Sequence, residues 1–183
     1  MRVLGIPGSV RQDSHNRKLL RAAAATLPSG VELELWDRLA ELPHFDEDLE
    51  RGPAPAAVQE LREAIAAADA VLISTPEYNA GVPGVLKNAI DWISRPFESH
   101  PLRDKPVAVV GASTGLFGAV WAQAEVRRVA AHIGARVLDH ELPIGLADGA
   151  FGDDGELSDP DQVAALAAVV RALVDDARVL EKA

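Results

Sequence analysis

Segments typical of strands and of helices alternate along this sequence, and the alternation limits the possible folds more than any other feature. Short apolar runs predict buried strands, and longer stretches with apolar residues every three or four positions predict helices. The predicted strands cover residues 3–6, 31–35, 70–75, 107–111 and 135–138, and the predicted helices cover 16–27, 56–68, 83–94, 118–132 and 160–181. This order predicts a parallel sheet with helices on both faces.

The composition is typical of one folded domain. The chain has 183 residues, 48% of them hydrophobic, and contains no cysteine. Because a chain of this length typically folds as one unit and buries roughly 70% of its unfolded surface, we expect a single domain over residues 1–183. The lack of cysteine excludes disulfide bonds, thiolate metal ligands and thiol catalysis.

Charge and hydropathy indicate the partners and the location of the protein. The formal net charge of -10 argues against nucleic acid as a partner, because proteins bind polyanions through Lys and Arg. The N-terminal segment lacks the apolar core of roughly 7–15 residues that a signal peptide needs. No apolar run approaches the roughly 20 residues of a membrane span. We therefore expect a cytoplasmic protein that binds neither nucleic acid nor membranes.

The loop after the first predicted strand has the composition of a phosphate site. Ligands of parallel α/β sheets bind beyond the carboxyl ends of the strands, where the strand order switches. The first loop (residues 8–16) reads GSVRQDSHN and combines hydroxyls, a guanidinium and an amide with the N–H groups of a helix start. The fingerprints G-x-G-x-x-G and G-x-x-x-x-G-K-[ST] are absent, so neither a dinucleotide nor a nucleoside triphosphate is expected. The alternative is a glycine turn in which Ser14 only caps the helix.

Two further loops are suited to a flat ligand. The second loop (residues 75–84) reads TPEYNAGVPG; its prolines stiffen it, and Tyr78 and Asn79 can stack on and hydrogen-bond to a planar molecule. A rigid connector with Tyr78 packed in the core is the alternative. The third loop (residues 111–118) reads GASTGLFG, and its glycines let the backbone approach a ligand closely.

These loops resemble those of a known enzyme family. The segments GSVRQDSHN, PEYNAGVPGVLKNAIDW and GASTGLFGAVWAQAEVRRVAAHIGARV are similar to the NADPH-dependent FMN reductases, a family that includes chromate, quinone and azo-dye reductases. The resemblance implies a flavodoxin-like three-layer sandwich with a five-stranded parallel sheet. It also implies an FMN-dependent enzyme that takes electrons from NADPH or NADH. Small-molecule acceptors such as quinones or azo compounds would receive two electrons by a ping-pong mechanism.

The resemblance assigns site residues as well. The FMN phosphate is expected to contact Ser9, Arg11, Ser14 and Asn16, with at least the backbone of His15. The isoalloxazine and ribityl groups are expected to contact Pro76, Glu77, Tyr78 and Asn79, and the other flavin edge Ser113, Thr114 and Gly115. No catalytic side chain and no metal is implied, since the chemistry belongs to the flavin. Relatives often have paired glycines in the segment that reads GLFGA (residues 115–119) in this chain. Leu116 and Phe117 are expected to reshape the pocket over the flavin, so the acceptor is the least transferable part.

Some expectations remain open at this stage. The family generally forms homodimers or homotetramers; Trp92 and Trp121 are expected in the core, although one of them could contact a partner subunit. The other histidines and the acidic stretch 46–48 are expected to be structural or solvated.

A flavodoxin-type electron carrier is one alternative to an enzyme. It is disfavoured by Arg11 in the first loop and by Tyr78 as the only obvious flavin-side aromatic. A binding or regulatory protein without turnover is the other.

Overall fold

The fold is a parallel sheet between two layers of helices, seen in a computed structural model that describes residues 1–180. The strands are β1 (Arg2–Pro7), β2 (Glu32–Leu35), β3 (Ala70–Thr75), β4 (Pro106–Ala112), β5 (Arg136–Val137) and β6 (Pro143–Ile144). The helices are α1 (His15–Ala25), α2 (Glu47–Glu50), α3 (Ala56–Ala67), α4 (Gly84–Ile93), α5 (Val120–His132) and α6 (Pro160–Leu180). The predicted three-layer α/β class is confirmed; the predicted end of the last helix, at Glu181, lies outside the described residues.

The strand order places the three candidate loops side by side. The order is β2-β1-β3-β4-β5, so the chain leaves β1 toward one edge and returns through β3 toward the other. Pro7 at the end of β1 pairs with Ser74, and Thr75 at the end of β3 pairs with Gly111 in β4. The first, second and third loops therefore leave the sheet at its switch point.

Two helical layers cover the two faces of the sheet. Leu72 and Val110 face the layer of α1 and α6, whereas Val71 and Val109 face the layer of α3, α4 and α5. Because β3 and β4 are buried on both faces, their sequences are continuous apolar runs rather than alternating ones. In the part of the chain that the structure describes, no helix is long and apolar enough to cross a membrane.

The strand predicted at residues 135–138 is present as β5, but a second short piece, β6, follows it along β4, so the fifth strand is divided in two. β5 pairs with Pro106 and Val107 at the start of β4, and β6 pairs with Gly111 and Ala112 at its end. The residues between the two pieces include the exposed stretch Asp139–Glu141, whose polar side chains do not fit a buried strand. β6 is too short for a hydrophobic period to reveal it. α2, with four residues, is likewise too short for a hydrophobic period to reveal it.

Candidate functional site

A cavity of about 240 Å³ opens where β1, β3 and β4 end. All three candidate loops contribute to its walls, which consist of Ser9, Arg11, Ser14, His15, Asn16, Pro76, Glu77, Tyr78, Ala112, Ser113 and Thr114. Of the residues assigned to the cofactor from the sequence, only Asn79 and Gly115 do not line it. Ala112, at the end of β4, is a wall residue that the sequence did not single out.

The hydroxyls of the first loop keep their hydrogens available for an anion. Ser14 caps α1: its hydroxyl oxygen accepts a hydrogen bond from the Arg17 N–H at 3.4 Å. The buried Ser9 hydroxyl oxygen accepts one from the Arg11 N–H at 3.3 Å. Since both hydroxyls act as acceptors, each retains its O–H as a donor beside the N–H groups of the first helical turn. Helix capping by Ser14 and anion binding are therefore compatible.

Gly8 allows the first loop to pass close to the neighbouring chain. Its N–H donates to the carbonyl oxygen of Ser74 at 2.7 Å. A Cβ at this position would lie 2.8 Å from the Leu86 side chain and 3.2 Å from the ring of Pro76. Only glycine fits this approach without displacing its neighbours.

Arg11 lies in the first loop and is left for a ligand, whereas the next two cations along the chain, in α1, are paired. Arg17 forms an ion pair with Asp37 at 3.2 Å, and Lys18 forms one with Asp13 at 2.7 Å. Within residues 1–180, the guanidinium of Arg11 makes no comparable contact, and it lies on the cavity wall. Its fixed fork of N–H donors suits a phosphate group.

The Asn16 side chain connects three elements of the fold. Its Oδ1 accepts hydrogen bonds from the Ser74 hydroxyl at 2.8 Å and from the Ala112 N–H at 2.9 Å. Its Nδ2 donates to the Ala112 carbonyl oxygen at 2.9 Å. The buried amide therefore joins the start of α1 to the ends of β3 and β4. One amide N–H and the backbone N–H remain for an anion.

His15 is held by a segment that is distant in sequence. Its Nε2 lies 3.0 Å from Oδ1 of Asp148, and its ring stacks on Phe151 with centroids 5.8 Å apart and an interplanar angle of 12°. Its Nδ1 is buried and has no hydrogen-bond partner among the described residues. Sequence reasoning missed Asp148 and Phe151, because no local pattern signals a contact across 133 positions.

The second loop presents Tyr78 at the cavity. Tyr78 and Gly81 exchange backbone hydrogen bonds of 3.3 and 3.1 Å around a tight turn, and Asn79 and Ala80 adopt left-handed φ values of 54° and 58°. This turn carries Asn79 to its exposed tip. Tyr78 is 58% exposed, so the alternative that places it in the core is wrong.

Glu77 fixes the second loop against α5. Its Oε2 accepts a hydrogen bond of 3.0 Å from the Ala122 N–H, in the first turn of that helix. A carboxylate is favourable there because unpaired N–H groups give a helix N-terminus a partial positive charge. Glu77 therefore orients backbone, in addition to lining the cavity.

The two helical tryptophans have different environments. Trp92 is buried, and its Nε1 donates to the Pro43 carbonyl oxygen at 2.8 Å, so its predicted core position is confirmed. The same prediction is wrong for Trp121, which is 50% exposed and packs edge-on against Phe117. On α5, Ala122 and Val126 face the sheet, which turns residue 121 outward. Leu116 and Leu146 are exposed as well, and the Leu146 N–H donates to the Gly115 carbonyl oxygen at 3.0 Å, next to Leu116. We call Leu116, Phe117, Trp121 and Leu146 the exposed apolar patch.

The remaining histidines show no metal-binding arrangement. His100 is buried, and its Nε2–H donates to the Ile133 carbonyl oxygen at 2.8 Å. Burial is the main cause that lowers the pKa of His100. Over the described range 1–180, no three His, Asp or Glu side chains are grouped so that they could hold a metal ion.

A second cavity of about 380 Å³ adjoins the first. The two share Ser9, Arg11 and Tyr78. Its other walls are largely apolar and consist of Gly8, Val10, Pro83, Gly84 and Val85. Together the cavities provide one polar end and one apolar end, as sites for amphipathic planar ligands commonly do.

Comparison with known proteins gives a consistent result. Residues 1–149 match the family model described as NADPH-dependent FMN reductase. An NAD(P)H-dependent FMN reductase of Pseudomonas aeruginosa is 44% identical over 160 residues, which cover 87% of this chain and 85% of the relative. A quinone reductase of Pseudomonas putida is 40% identical over 155 residues, covering 84% and 83%.

A solved structure supports the same relationship. FerB of Paracoccus denitrificans, a flavoenzyme described as an NAD(P)H:(acceptor) oxidoreductase, superposes with a TM-score of 0.84 at 36% identity. The match covers 97% of both chains. The likeness therefore includes α6, which lies beyond the residues that the family model matches.

Proposed function

Since this chain belongs to the NADPH-dependent FMN reductase family, we propose that it passes electrons from NAD(P)H to quinone-like acceptors through FMN bound in the described cavities. It is an oxidoreductase with FMN as its cofactor and NAD(P)H as its electron donor. One observation carries the placement of the cofactor: the guanidinium of Arg11, without a protein partner in the described chain, lies at the cavity wall that also holds the N-terminus of α1.

The polar end of the site fits the FMN phosphate. Ser9 and Ser14 keep O–H donors, Arg11 keeps its guanidinium and α1 offers its first N–H groups. A phosphate group carries a charge of roughly -1.5 to -2 at neutral pH and accepts several hydrogen bonds. The overall charge of -10 does not oppose this, because a local group of donors decides the binding of one small anion.

The remaining walls fit a ribityl chain and a flat ring system. We assign one side to residues 76–79 and the other to residues 113–115; Asn79 and Gly115 would take part through backbone or after small movements. When bound, FMN supplies hydride acceptance and two-electron transfer, which protein side chains do not provide. The protein binds and orients it: Glu77 holds the second loop on α5, and Asn16 holds α1 on the strand ends.

We propose that donor and acceptor occupy the same open region in turn, which gives ping-pong kinetics. The apolar walls at Val10, Pro83 and Val85 suit a flat, weakly polar acceptor beside Tyr78. Parallel lines in double-reciprocal plots of initial rates, with NADPH and a benzoquinone varied, are expected. Intersecting lines would contradict the shared region.

The cofactor assignment is tested by FMN titration of the apoprotein. Arg11→Ala is expected to raise the Kd for FMN by about tenfold to a hundredfold, because a hydrogen bond to a charged group contributes roughly 1.5–3 kcal/mol. Arg21→Ala is the matched control, because Arg21 is an exposed arginine of α1 outside this cavity. Unchanged FMN affinity in Arg11→Ala would remove Arg11 from the site. FMN binding without NAD(P)H oxidation would instead favour an electron carrier.

We further propose that the protein is a homodimer or homotetramer. The exposed apolar patch of Leu116, Phe117, Trp121 and Leu146 supports this, because contiguous exposed apolar side chains mark interaction surfaces. Sedimentation velocity at micromolar concentration is expected to show an oligomer that Phe117→Ser with Trp121→Ser dissociates. A wild-type protein that sediments only as a monomer would contradict the proposal.

A further inference from the structure

A second carboxylate, besides that of Glu77, joins the second loop to α5. Oε2 of Glu125 accepts a hydrogen bond of 3.0 Å from the Val82 N–H. Glu125 lies one turn further along α5 than Ala122, whose N–H donates to Glu77. The same end of α5 is therefore joined to the loop twice, once just before Tyr78 and once shortly after it.

The part of the loop between these two bonds is a turn with an unfavourable backbone. Tyr78 and Gly81 exchange backbone hydrogen bonds, so that Asn79 and Ala80 form the tip of the turn. Both tip residues have left-handed φ values, although neither is glycine. Left-handed backbone is unfavourable for a residue with a Cβ, and it persists where the surrounding contacts enforce it. The two carboxylate bonds, one on either side of the turn, are contacts of this kind.

This turn determines where the ring of Tyr78 lies. Tyr78 belongs to the walls of both cavities, at the boundary between the polar one and the apolar one. Because more than half of its side chain is exposed, packing against neighbours restrains the ring only weakly. The position of the ring therefore depends on the backbone of residues 78–81, and on the groups that hold this backbone in place.

The bond from Val82 to Glu125 is well suited to hold the loop. A hydrogen bond to an ionised carboxylate is roughly twice as strong as one between neutral groups. Arg127, on the same helix, pairs with Glu141 rather than with Glu125. Val82 also supplies the last N–H before α4, because the next residue is Pro83, which has none.

We propose that Glu125 is a positioning residue, which together with Glu77 clamps the second loop onto α5 and thereby holds Tyr78 at the boundary between the two cavities. The clamp itself does not depend on a bound flavin. Its consequence for turnover rests on the proposed function. Since the ring is held in place, a flat acceptor meets a preformed wall, and no ordering of the loop opposes its binding.

The position of the ring can be observed directly, because Tyr78 is the only tyrosine in the chain. Labelling with 3-fluorotyrosine gives one 19F resonance, which is recorded for the FMN-free and the FMN-loaded protein. Glu125→Ala is expected to move this resonance toward its position in the urea-unfolded protein, because the released ring samples more of the solvent. A resonance that stays at the wild-type position in both states would overturn the proposal.

Two further variants show whether the hydrogen bond is the cause. Glu125→Gln keeps a side-chain oxygen as acceptor, so its resonance is expected near the wild-type position. A displacement as large as in Glu125→Ala would overturn the proposed clamp. Glu63→Ala is the matched control, because this exposed helical carboxylate accepts a hydrogen bond from Gln59 and not from the second loop. It is expected to leave the resonance unchanged.

Steady-state kinetics with NADPH and a benzoquinone test the consequence for turnover. Glu125→Ala is expected to lower kcat/KM for the quinone by about threefold to tenfold, the factor that corresponds to one hydrogen bond. The change should lie in KM with kcat unchanged, because binding is affected and not the chemical step. In a Tyr78→Ala background, Glu125→Ala should have no further effect. Equal factors in the two backgrounds would overturn the proposal, because Glu125 would then act elsewhere.

The measurements separate this proposal from the one on which its consequence rests. A wild-type protein that neither binds FMN nor oxidises NADPH would refute the proposed function, while the resonance of the FMN-free protein would still decide whether Glu125 holds Tyr78. A displaced resonance with unchanged kinetics would refute the role in turnover and leave the FMN site intact. Glu125→Ala is expected to fold, because Glu125 is only half-buried and alanine is the best helix former.

Discussion

Replacing Asn16 by alanine tests whether this side chain serves the fold or the ligand. The substitution removes three hydrogen bonds and leaves the Ser74 hydroxyl and both polar groups of Ala112 without partners. All three lie in the interior at the ends of β3 and β4. The loss therefore acts on the apoprotein, before any cofactor binds.

The expected size follows from the groups left unpaired. A buried donor or acceptor that loses its partner costs about 1–3 kcal/mol, so three of them give at least roughly 3 kcal/mol. For a domain of this size, each kcal/mol lowers Tm by about 2–4 °C, so a decrease of about 6–12 °C is expected. This is a large part of the 5–15 kcal/mol that typically stabilises a folded domain.

Thermal and urea unfolding of the FMN-free protein provides the measurement. Ser74→Ala is the matched control: it removes the Ser74 hydroxyl together with one hydrogen bond, so a smaller loss of about 1 kcal/mol is expected. If Asn16→Ala leaves the unfolding free energy unchanged and weakens only FMN binding, the reasoning fails. Asn16 would then be a direct phosphate ligand whose protein contacts contribute little.

Three further predictions concern pH, a close backbone contact and a helix start. Burial holds the pKa of His100 below its ordinary value near 6.5. As the pH falls, the imidazole is therefore protonated in the unfolded state before it is protonated in the folded state. The free energy of unfolding is expected to decrease below about pH 6.5 for this reason. Urea unfolding at pH 7.5 and 5.5 should show a smaller decrease for His100→Gln, and an equal one would contradict the assignment. Gly145→Ala would place a Cβ in a clash with the Leu116 carbonyl oxygen, and a Tm lowered by several degrees is expected from a cost of about 1–3 kcal/mol. Glu77→Ala should lower the unfolding free energy by about 1 kcal/mol, as the loss of a helix cap does. An unchanged unfolding free energy would show that the hydrogen bond from Ala122 to Glu77 contributes nothing to stability.

The sequence predicted the sheet and the location of the cavity because both depend on local patterns. The apolar runs of β3 and β4 and the amphipathic helices identified the layers, and the switch-point rule then selected the first, second and third loops. Motif resemblance added the flavin. Each of these signals lies within a single segment of the chain, so it can be recognised from the sequence alone.

The features that sequence reasoning missed depend on contacts between distant segments. Asp148 contacts His15 although the two residues are 133 positions apart in the sequence, and no hydrophobic period or motif indicates that contact. The hydrogen bonds that join the Asn16 amide to β3 and β4 could not be predicted for the same reason. Trp121 was misplaced because an apolar residue type indicates the core only on average; the start of α5 decides which face it occupies.

The division of the fifth strand has a consequence for how copies of this molecule can associate. At that edge the sheet offers two pieces of two residues each, separated by the charged stretch Asp139–Glu141. At the opposite edge, β2 alternates leucine with Glu32 and Glu34. Neither edge presents a long run of unpaired backbone, so sheets of neighbouring molecules are not expected to join into one continuous sheet. Any association is thereby directed to helices and loops, and joining of sheets edge to edge is closed as a route to open-ended polymerisation.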